Sequence, residues 1–196
     1  MTTELYLLRH SPLDVVPGTL VGATDLPLVE IDKDGVDFSG SIGHLEQVDL
    51  WFCSPMLRCR QTLGLVREQL GLDLRVCYDD RLREMDFGRW EMQRFSAINA
   101  VDPEYIAPWT RYTDFVFPDG EAVCDFCARV GAMLELFMDH DAEKIGVITH
   151  GGVIRTMICL ALGLSVRNYL LFNVQPASLT VLELFSQGGV LKGLNI

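Results

Sequence analysis

Leu5-Tyr6-Leu7-Leu8 is a short, unbroken apolar run, the length of a strand buried on both faces, and it stops abruptly at Arg9-His10-Ser11-Pro12. Far downstream, Ile145-Gly146-Val147-Ile148-Thr149 repeats the pattern and stops at His150-Gly151-Gly152. Residues 48–53, 74–78 and 178–185 are further buried-strand candidates. Ser54-Pro55 predicts a helix start, with serine as cap and proline at the first helical position. Leu57, Gln61, Leu65 and Leu70 carry that helix to a stop at Gly71. The clearest helix follows Gly120, where Val123, Phe126, Cys127, Val130, Met133, Leu134 and Phe137 recur at helical spacing. Residues 152–163 form an apolar helix, and residues 34–47 a weaker one that Gly40 and Gly43 interrupt. Residues 12–35 read as loop, with a turn at Gly22-Ala23-Thr24-Asp25 before an extended Leu26-Pro27-Leu28. Gly188-Gly189 is a turn before a short tail.

Residues 79–120 differ in character. Phe87, Trp90, Phe95, Tyr105, Trp109, Tyr112, Phe115 and Phe117 accumulate there, and prolines fall at 103, 108 and 118. One helix is expected over residues 91–100, with irregular structure after it. So long a segment between core elements suits a lid over a site. Strands that alternate with helices predict an α/β fold: a three-layer α/β/α sandwich with a mostly parallel central sheet. Residues 1–196 are expected to form one domain, with an irregular, partly helical lid at about 79–120.

Composition narrows the function classes. Hydrophobic residues make up 49% of 196 positions, which suits strands covered on both faces. No apolar run is long enough to span a bilayer, and Glu4, Arg9 and His10 interrupt any N-terminal signal pattern. A cytoplasmic protein without a membrane partner is therefore expected. The net charge of −11 disfavours nucleic acid as a partner, while leaving room for a local arginine cluster that holds a small anion. Six cysteines do not suggest a disulfide framework in so apolar a chain. Cys53, Cys77 and Cys159 read as small core residues. Cys124-Asp125-Phe126-Cys127 matches C-x-x-C but lies within a helical pattern and has no second pair, so neither a metal nor a redox role is assigned.

The two strand-end histidines, each with an arginine close by in the chain or the expected fold, suggest one phosphate-handling site. Arg58 sits early on a helix that follows a strand, where side chains and free N–H groups both favour an anion. Arg60 is rotated about 200° from it and should face elsewhere. Gly151 and Gly152 permit close approach of a ligand to the backbone. Taken singly, each residue also has a structural use. A strand-end histidine can hydrogen-bond backbone, Arg58 can be a surface arginine, and Glu84 can pair with Arg81 or Arg83. His44 and His140 read as surface or capping residues.

Together these blocks resemble the histidine phosphatase superfamily, with its phosphoglycerate mutase-like fold. Arg9-His10 matches that family's Arg-His-Gly motif. Ser54-Pro55-Met56-Leu57-Arg58-Cys59-Arg60-Gln61-Thr62 resembles its second-arginine block. Leu82-Arg83-Glu84-Met85-Asp86-Phe87-Gly88-Arg89-Trp90-Glu91, Pro118-Asp119-Gly120-Glu121 and Thr149-His150-Gly151-Gly152 follow in family order. The resemblance implies hydrolysis of a phosphomonoester through a phosphohistidine, with no metal or other cofactor. His10 would be the nucleophile. Arg9, Arg58 and His150 would hold the phosphoryl oxygens, and Glu84 would serve as acid and then base, helped by apolar neighbours such as Met85 and Phe87 that raise a carboxyl pKa.

The chain departs from the family at Ser11-Pro12, where glycine usually follows the histidine. Ser11 could crowd the phosphate or donate to it. That departure keeps a second class open, a degenerate member that binds phosphorylated ligands or partner proteins without turnover. Proline-bearing loops, and the Gly18 to Leu28 segment with its Gly-x-x-Asp-Leu-Pro-Leu ending, resemble the α-ribazole phosphatase-like branch. The chain's length favours hydrolysis over a phosphoglycerate mutase-type isomerisation. The substrate-binding set expected is Ser11, Gly22, Gly151, Trp90 and Trp109, with Trp90, Trp109 and Tyr112 able to stack on a flat ring such as a benzimidazole. The partner implied is a small phosphorylated molecule, and the resemblance leaves a homodimer open.

Overall fold

The computed structural model describes residues 2–29, 38–48, 50–71, 73, 75–111 and 114–196. Among them a six-stranded sheet has the order β3-β2-β4-β1-β5-β6. The strands are β1 Thr3–Arg9, β2 Leu50–Cys53, β3 Val76–Tyr78, β4 Lys144–Thr149, β5 Leu179–Phe185 and β6 Gly188–Leu194. The first four are mutually parallel, and β5 and β6 run antiparallel at one edge. The helices are α1 Ser39–Leu45, α2 Leu57–Leu70, α3 Phe95–Val101, α4 Pro103–Arg111, α5 Val123–Met138 and α6 Gly151–Ala161. Among the described residues no helix is long and apolar enough to cross a membrane.

The sheet is apolar on both sides because its strands alternate between two cores. Leu5 and Leu7 of β1 join α5, α6 and the lid aromatics in one core. Tyr6 and Leu8 point the other way and pack with Trp51, Leu63 and Val66 against α1 and α2. The result is the expected three-layer α/β/α sandwich. On α5, Val123, Phe126, Val130, Met133, Leu134 and Phe137 are all buried, as their spacing predicts.

Several elements differ from expectation. The tail after Gly188-Gly189 is β6, which pairs with β5. Helix α2 begins at Leu57, and its first N–H is capped from outside: Asp25 Oδ1 accepts it at 2.7 Å. Its buried face is Arg58, Cys59, Thr62, Leu63 and Val66, not the stripe that begins at Leu57 and Gln61. The stop at Gly71 holds, with a left-handed φ of 64° that glycine adopts freely. The helix expected over residues 91–100 begins only at Phe95. Instead of irregular structure, α4 follows, with Pro103 at the first position, where no N–H bond is needed. Cys77 is exposed on β3, an edge strand, whereas Cys53 and Cys159 are buried. Tyr112 and most of the segment between residues 29 and 38 lie outside the described residues.

Candidate active site

Sheet register brings the two histidines together. Arg9 of β1 pairs with Thr149 of β4, so the next residue in each chain segment, His10 and His150, leaves the sheet at the same level. Their rings are 5.3 Å apart, centre to centre, and tilted by 58°. The end of β2, on the other side of β4, places Ser54 and then Arg58 at the same C-terminal edge. Open α/β sheets hold ligands at this edge.

His10 is 5% exposed, and its Nδ1 lies 2.8 Å from the Ser11 carbonyl oxygen. A carbonyl only accepts, so Nδ1 carries the proton and the Nε2 lone pair is free. Burial, followed by the charges of Arg9 and Arg58, pushes the His10 pKa down to about 3. The ring is therefore neutral at physiological pH. A neutral imidazole with a free lone pair, set among arginines, can attack an electrophile that carries negative charge.

His150 is fully buried, and its pKa is also pushed well below the usual value by burial and by Arg58. Arg58 Nε donates to His150 Nδ1 at 3.1 Å. That assigns the His150 proton to Nε2, which lies 2.8 Å from Ser54 Oγ. In this arrangement His150 holds Arg58 in place, and both of its ring nitrogens are engaged. Arg58 is itself fully buried and donates to the carbonyls of Gly22 at 2.7 Å and Thr24 at 2.9 Å. Arg60, as expected, is exposed on the opposite side of α2.

Arg9 donates from Nη1 to the Val174 carbonyl at 2.6 Å. Its Nε is buried without a hydrogen-bond partner, and so is the Ser11 hydroxyl. The Ser11 backbone N–H donates to Thr62 Oγ1 at 2.9 Å. Gly151 packs on the Arg9 guanidinium, where an added Cβ would sit 3.3 Å from Nε. Two orphaned donors within one cluster are unusual in a folded interior, where buried polar groups are nearly always paired.

Glu84 faces this cluster from the segment after β3. Its Oε2 accepts the Gly152 N–H at the start of α6 at 2.9 Å, and its Oε1 accepts the Met85 N–H at 3.1 Å. It does not pair with Arg81 or Arg83, which bind Asp79 and Asp80. On its far side lies a cavity of about 180 Å³, lined by Leu20, Phe87, Trp109, Phe117, Tyr169 and Arg155 among others. Trp109 is on that wall. Trp90 is not; it is fully buried among Tyr105, Trp109, Phe115 and Phe117, with its Nε1 donating to Asp102 at 2.7 Å. It packs among these aromatics instead of reaching the cavity.

Glu91 is a site residue to which the sequence reading gave no role. Its carboxylate accepts the N–H groups of Gly22, Ala23, Thr24 and Phe87 at 2.9–3.2 Å and the Thr24 hydroxyl at 2.7 Å. It thereby shapes the turn whose carbonyls hold Arg58. Gly22 is required in that turn, because a Cβ there would fall 1.8 Å from the Met85 oxygen. The remaining histidines are elsewhere: His44 is exposed, and His140 Nδ1 accepts the Ala142 N–H at 2.9 Å. Cys124 and Cys127 lie on α5 as free thiols.

A neutral histidine, one buried and one half-buried arginine and a facing carboxylate, at the C-terminal edge of an α/β sheet, make up the equipment of a phosphate-handling protein. The family profile of the histidine phosphatase superfamily (branch 1) matches residues 5–196, and the chain belongs to that superfamily. It is 27% identical over 196 residues to phosphoserine phosphatase 1 of Hydrogenobacter thermophilus, covering 98% of this chain and 92% of the relative. It is also 27% identical over 195 residues to the adenosylcobalamin/alpha-ribazole phosphatase of Salmonella typhimurium, covering 98% and 96%. The crystal structure of the alpha-ribazole phosphatase from Shigella flexneri superposes with a TM-score of 0.82 at 26% identity, covering 99% of this chain and 96% of that one.

Proposed function

We propose that this chain hydrolyses phosphomonoesters without a metal, through a phosphohistidine on His10. The observation that carries this reading is the Nδ1 bond of His10 to the Ser11 carbonyl, which leaves Nε2 free on a ring that burial keeps neutral. The Nε2 lone pair attacks phosphorus, the ester bond to the leaving oxygen breaks, and Glu84 delivers a proton to that oxygen. The Glu84 carboxylate then takes a proton from water, whose oxygen attacks the phosphohistidine, and inorganic phosphate and free His10 result. Arg9 and Arg58 balance the charge on the phosphoryl oxygens. Arg9 Nε and the Ser11 hydroxyl, both without partners among the described residues, gain them from those oxygens. Gly151 lets the backbone lie close to the same group. His150 serves this chemistry chiefly by orienting Arg58.

For the substrate, the cavity that Glu84 and Gly152 help to line is the space this reading gives the leaving group. A space of about 180 Å³ is enough for an aromatic ring, since a ~150 Å³ apolar cavity already binds benzene. Its apolar wall favours a leaving group that carries a flat apolar ring, and the α-ribazole of the Salmonella and Shigella relatives' names is such a group. The polar amino-acid leaving group of a phosphoserine suits it less well. The reaction is tested with p-nitrophenyl phosphate in wild type and His10→Ala, with and without EDTA, and by trapping the acid-labile phosphoenzyme. Turnover that EDTA does not touch, with both label and turnover lost in His10→Ala, is the expected result. EDTA-sensitive turnover, or a His10→Ala variant that keeps both, overturns it. The substrate is tested by comparing kcat/KM for α-ribazole 5′-phosphate and phosphoserine.

A further inference from the structure

One set of hydrogen bonds ties the Pro118-Asp119-Gly120-Glu121 turn to the Glu84 backbone. Arg129 on α5 directs its guanidinium at Glu121, with Nε to Oε1 at 2.7 Å and Nη2 to Oε2 at 2.9 Å. Its other donors go to three backbone carbonyls: Nη1 to Arg81 at 2.9 Å and Arg83 at 2.6 Å, and Nη2 to Glu84 at 3.0 Å. These bonds use each of the five N–H groups that a guanidinium has. Glu121 grips the same segment from its other end. Its Oε2 accepts the Asp86 N–H at 3.3 Å, and its own N–H donates to the Asp86 carbonyl at 2.9 Å. The backbone is therefore fastened on both sides of Glu84. The Glu84 carboxylate itself is held only by two N–H donors, so its aim follows from where that backbone stands.

We infer that Arg129 and Glu121 are a positioning pair that sets the Glu84 carboxylate at the distance and angle needed to protonate the leaving oxygen. This rests on the reading of Glu84 as the proton donor. The pair's demand is geometric: a lysine has no planar fork and cannot serve two carboxylate oxygens and three carbonyls together.

The test uses pre-steady-state rates of phosphoenzyme formation, which separate the first step from the second. Two esters are compared: p-nitrophenyl phosphate, whose phenolate leaves without help, and 2-phenylethyl phosphate, whose alkoxide needs a proton. Arg129→Met is expected to slow the alkyl ester at least ~10-fold more than the nitrophenyl ester, as Glu84→Gln does, with little change in KM. Arg129→Lys and Glu121→Gln are expected to show the same selectivity in weaker form, and they carry the test if Arg129→Met does not fold. If Glu84→Gln is selective and the Arg129 and Glu121 variants slow both esters equally, or lose only thermal stability, the positioning inference is overturned. If Glu84→Gln shows no selectivity, the reading of Glu84 itself fails, and the inference falls with it.

Discussion

Arg58 Nε donates to His150 Nδ1 at 3.1 Å, and this single bond fixes the tautomer of one side chain and the direction of the other. From it a chain of contacts runs in two directions. One end is Ser54, which lies against His150 Nε2; the other is the Gly22 and Thr24 carbonyls, which Glu91 shapes from behind. Both histidines reach their neutral state because they are buried beside cations, and that has a cost at low pH.

Unfolded, His10 and His150 titrate near ~6.5. Folded, His10 titrates at about 3 and His150 well below the usual value. Below ~6.5 the unfolded chain therefore takes up protons that the native state refuses. The contribution of these groups is whole above ~6.5 and is lost as the pH falls toward 3, by on the order of 1.4 kcal/mol per pH unit for each histidine. Urea melts at pH 7 and pH 5 should show a lower midpoint at pH 5, with a smaller drop in His10→Gln. An unchanged midpoint would show that the rings are not buried neutral.

Two glycines should fail in different ways. A Cβ on Gly152 would fall 2.3 Å from Glu84 Oε1, the mobile end of a side chain, so Gly152→Ala displaces the carboxylate. We expect turnover to fall ~10²-fold or more with the melting temperature nearly kept. A Cβ on Gly22 meets the Met85 backbone oxygen at 1.8 Å, and Gly22→Ala should lose about 1–3 kcal/mol of stability along with activity. Parallel thermal melts and rate measurements separate the two.

Ser11→Ala tests the orphaned hydroxyl. If Ser11 Oγ donates to a phosphoryl oxygen, the variant loses one charge-assisted hydrogen bond, on the order of 1.5–3 kcal/mol. The inhibition constant of inorganic phosphate should then rise about tenfold or more, while the fold is unaffected. An unchanged constant would leave the hydroxyl as packing only.

Glu91→Gln replaces a carboxylate that accepts five hydrogen bonds with an amide whose NH₂ end cannot accept. The turn at residues 22–24 should loosen, and Arg58 with it. The expected outcome is a KM raised about tenfold and a kcat lowered about as much, because removing one oxyanion donor outright costs ~10²–10³. Full kinetics on p-nitrophenyl phosphate decide it. An effect on stability alone would show that the turn does not act through Arg58.

The strand ends were the legible part of this chain. Apolar runs that stop at Arg9-His10 and at His150 announce both a buried parallel sheet and its reactive edge, and α5 declares its face by spacing alone. Helix α2 misled for a physical reason. Its inward face carries Arg58 and Thr62 because the site needs them there, so the buried stripe is partly polar and periodicity points elsewhere. Strand β6 contains Gly188, Gly189 and Gly193, which strands seldom favour, and only its pairing with β5 makes it a strand. Trp90 could have faced either a ligand or a core, and what decides is Asp102, the indole's acceptor in the α3–α4 connection. Arg129 and Glu91 have no role that sequence alone could assign, because most of the carbonyls and N–H groups they serve lie far away in sequence.

The pairing of Arg9 with Thr149 also has a meaning in time. Strand β1 leaves the ribosome well before its parallel partner β4. Until then His10 has neither the neighbour that flanks it nor the enclosure that strips its proton. Contacts between segments so distant form late and slowly. Until the sheet closes, His10 is thus an ordinary, solvated histidine, and the proposed nucleophile exists only once β1 and β4 have paired.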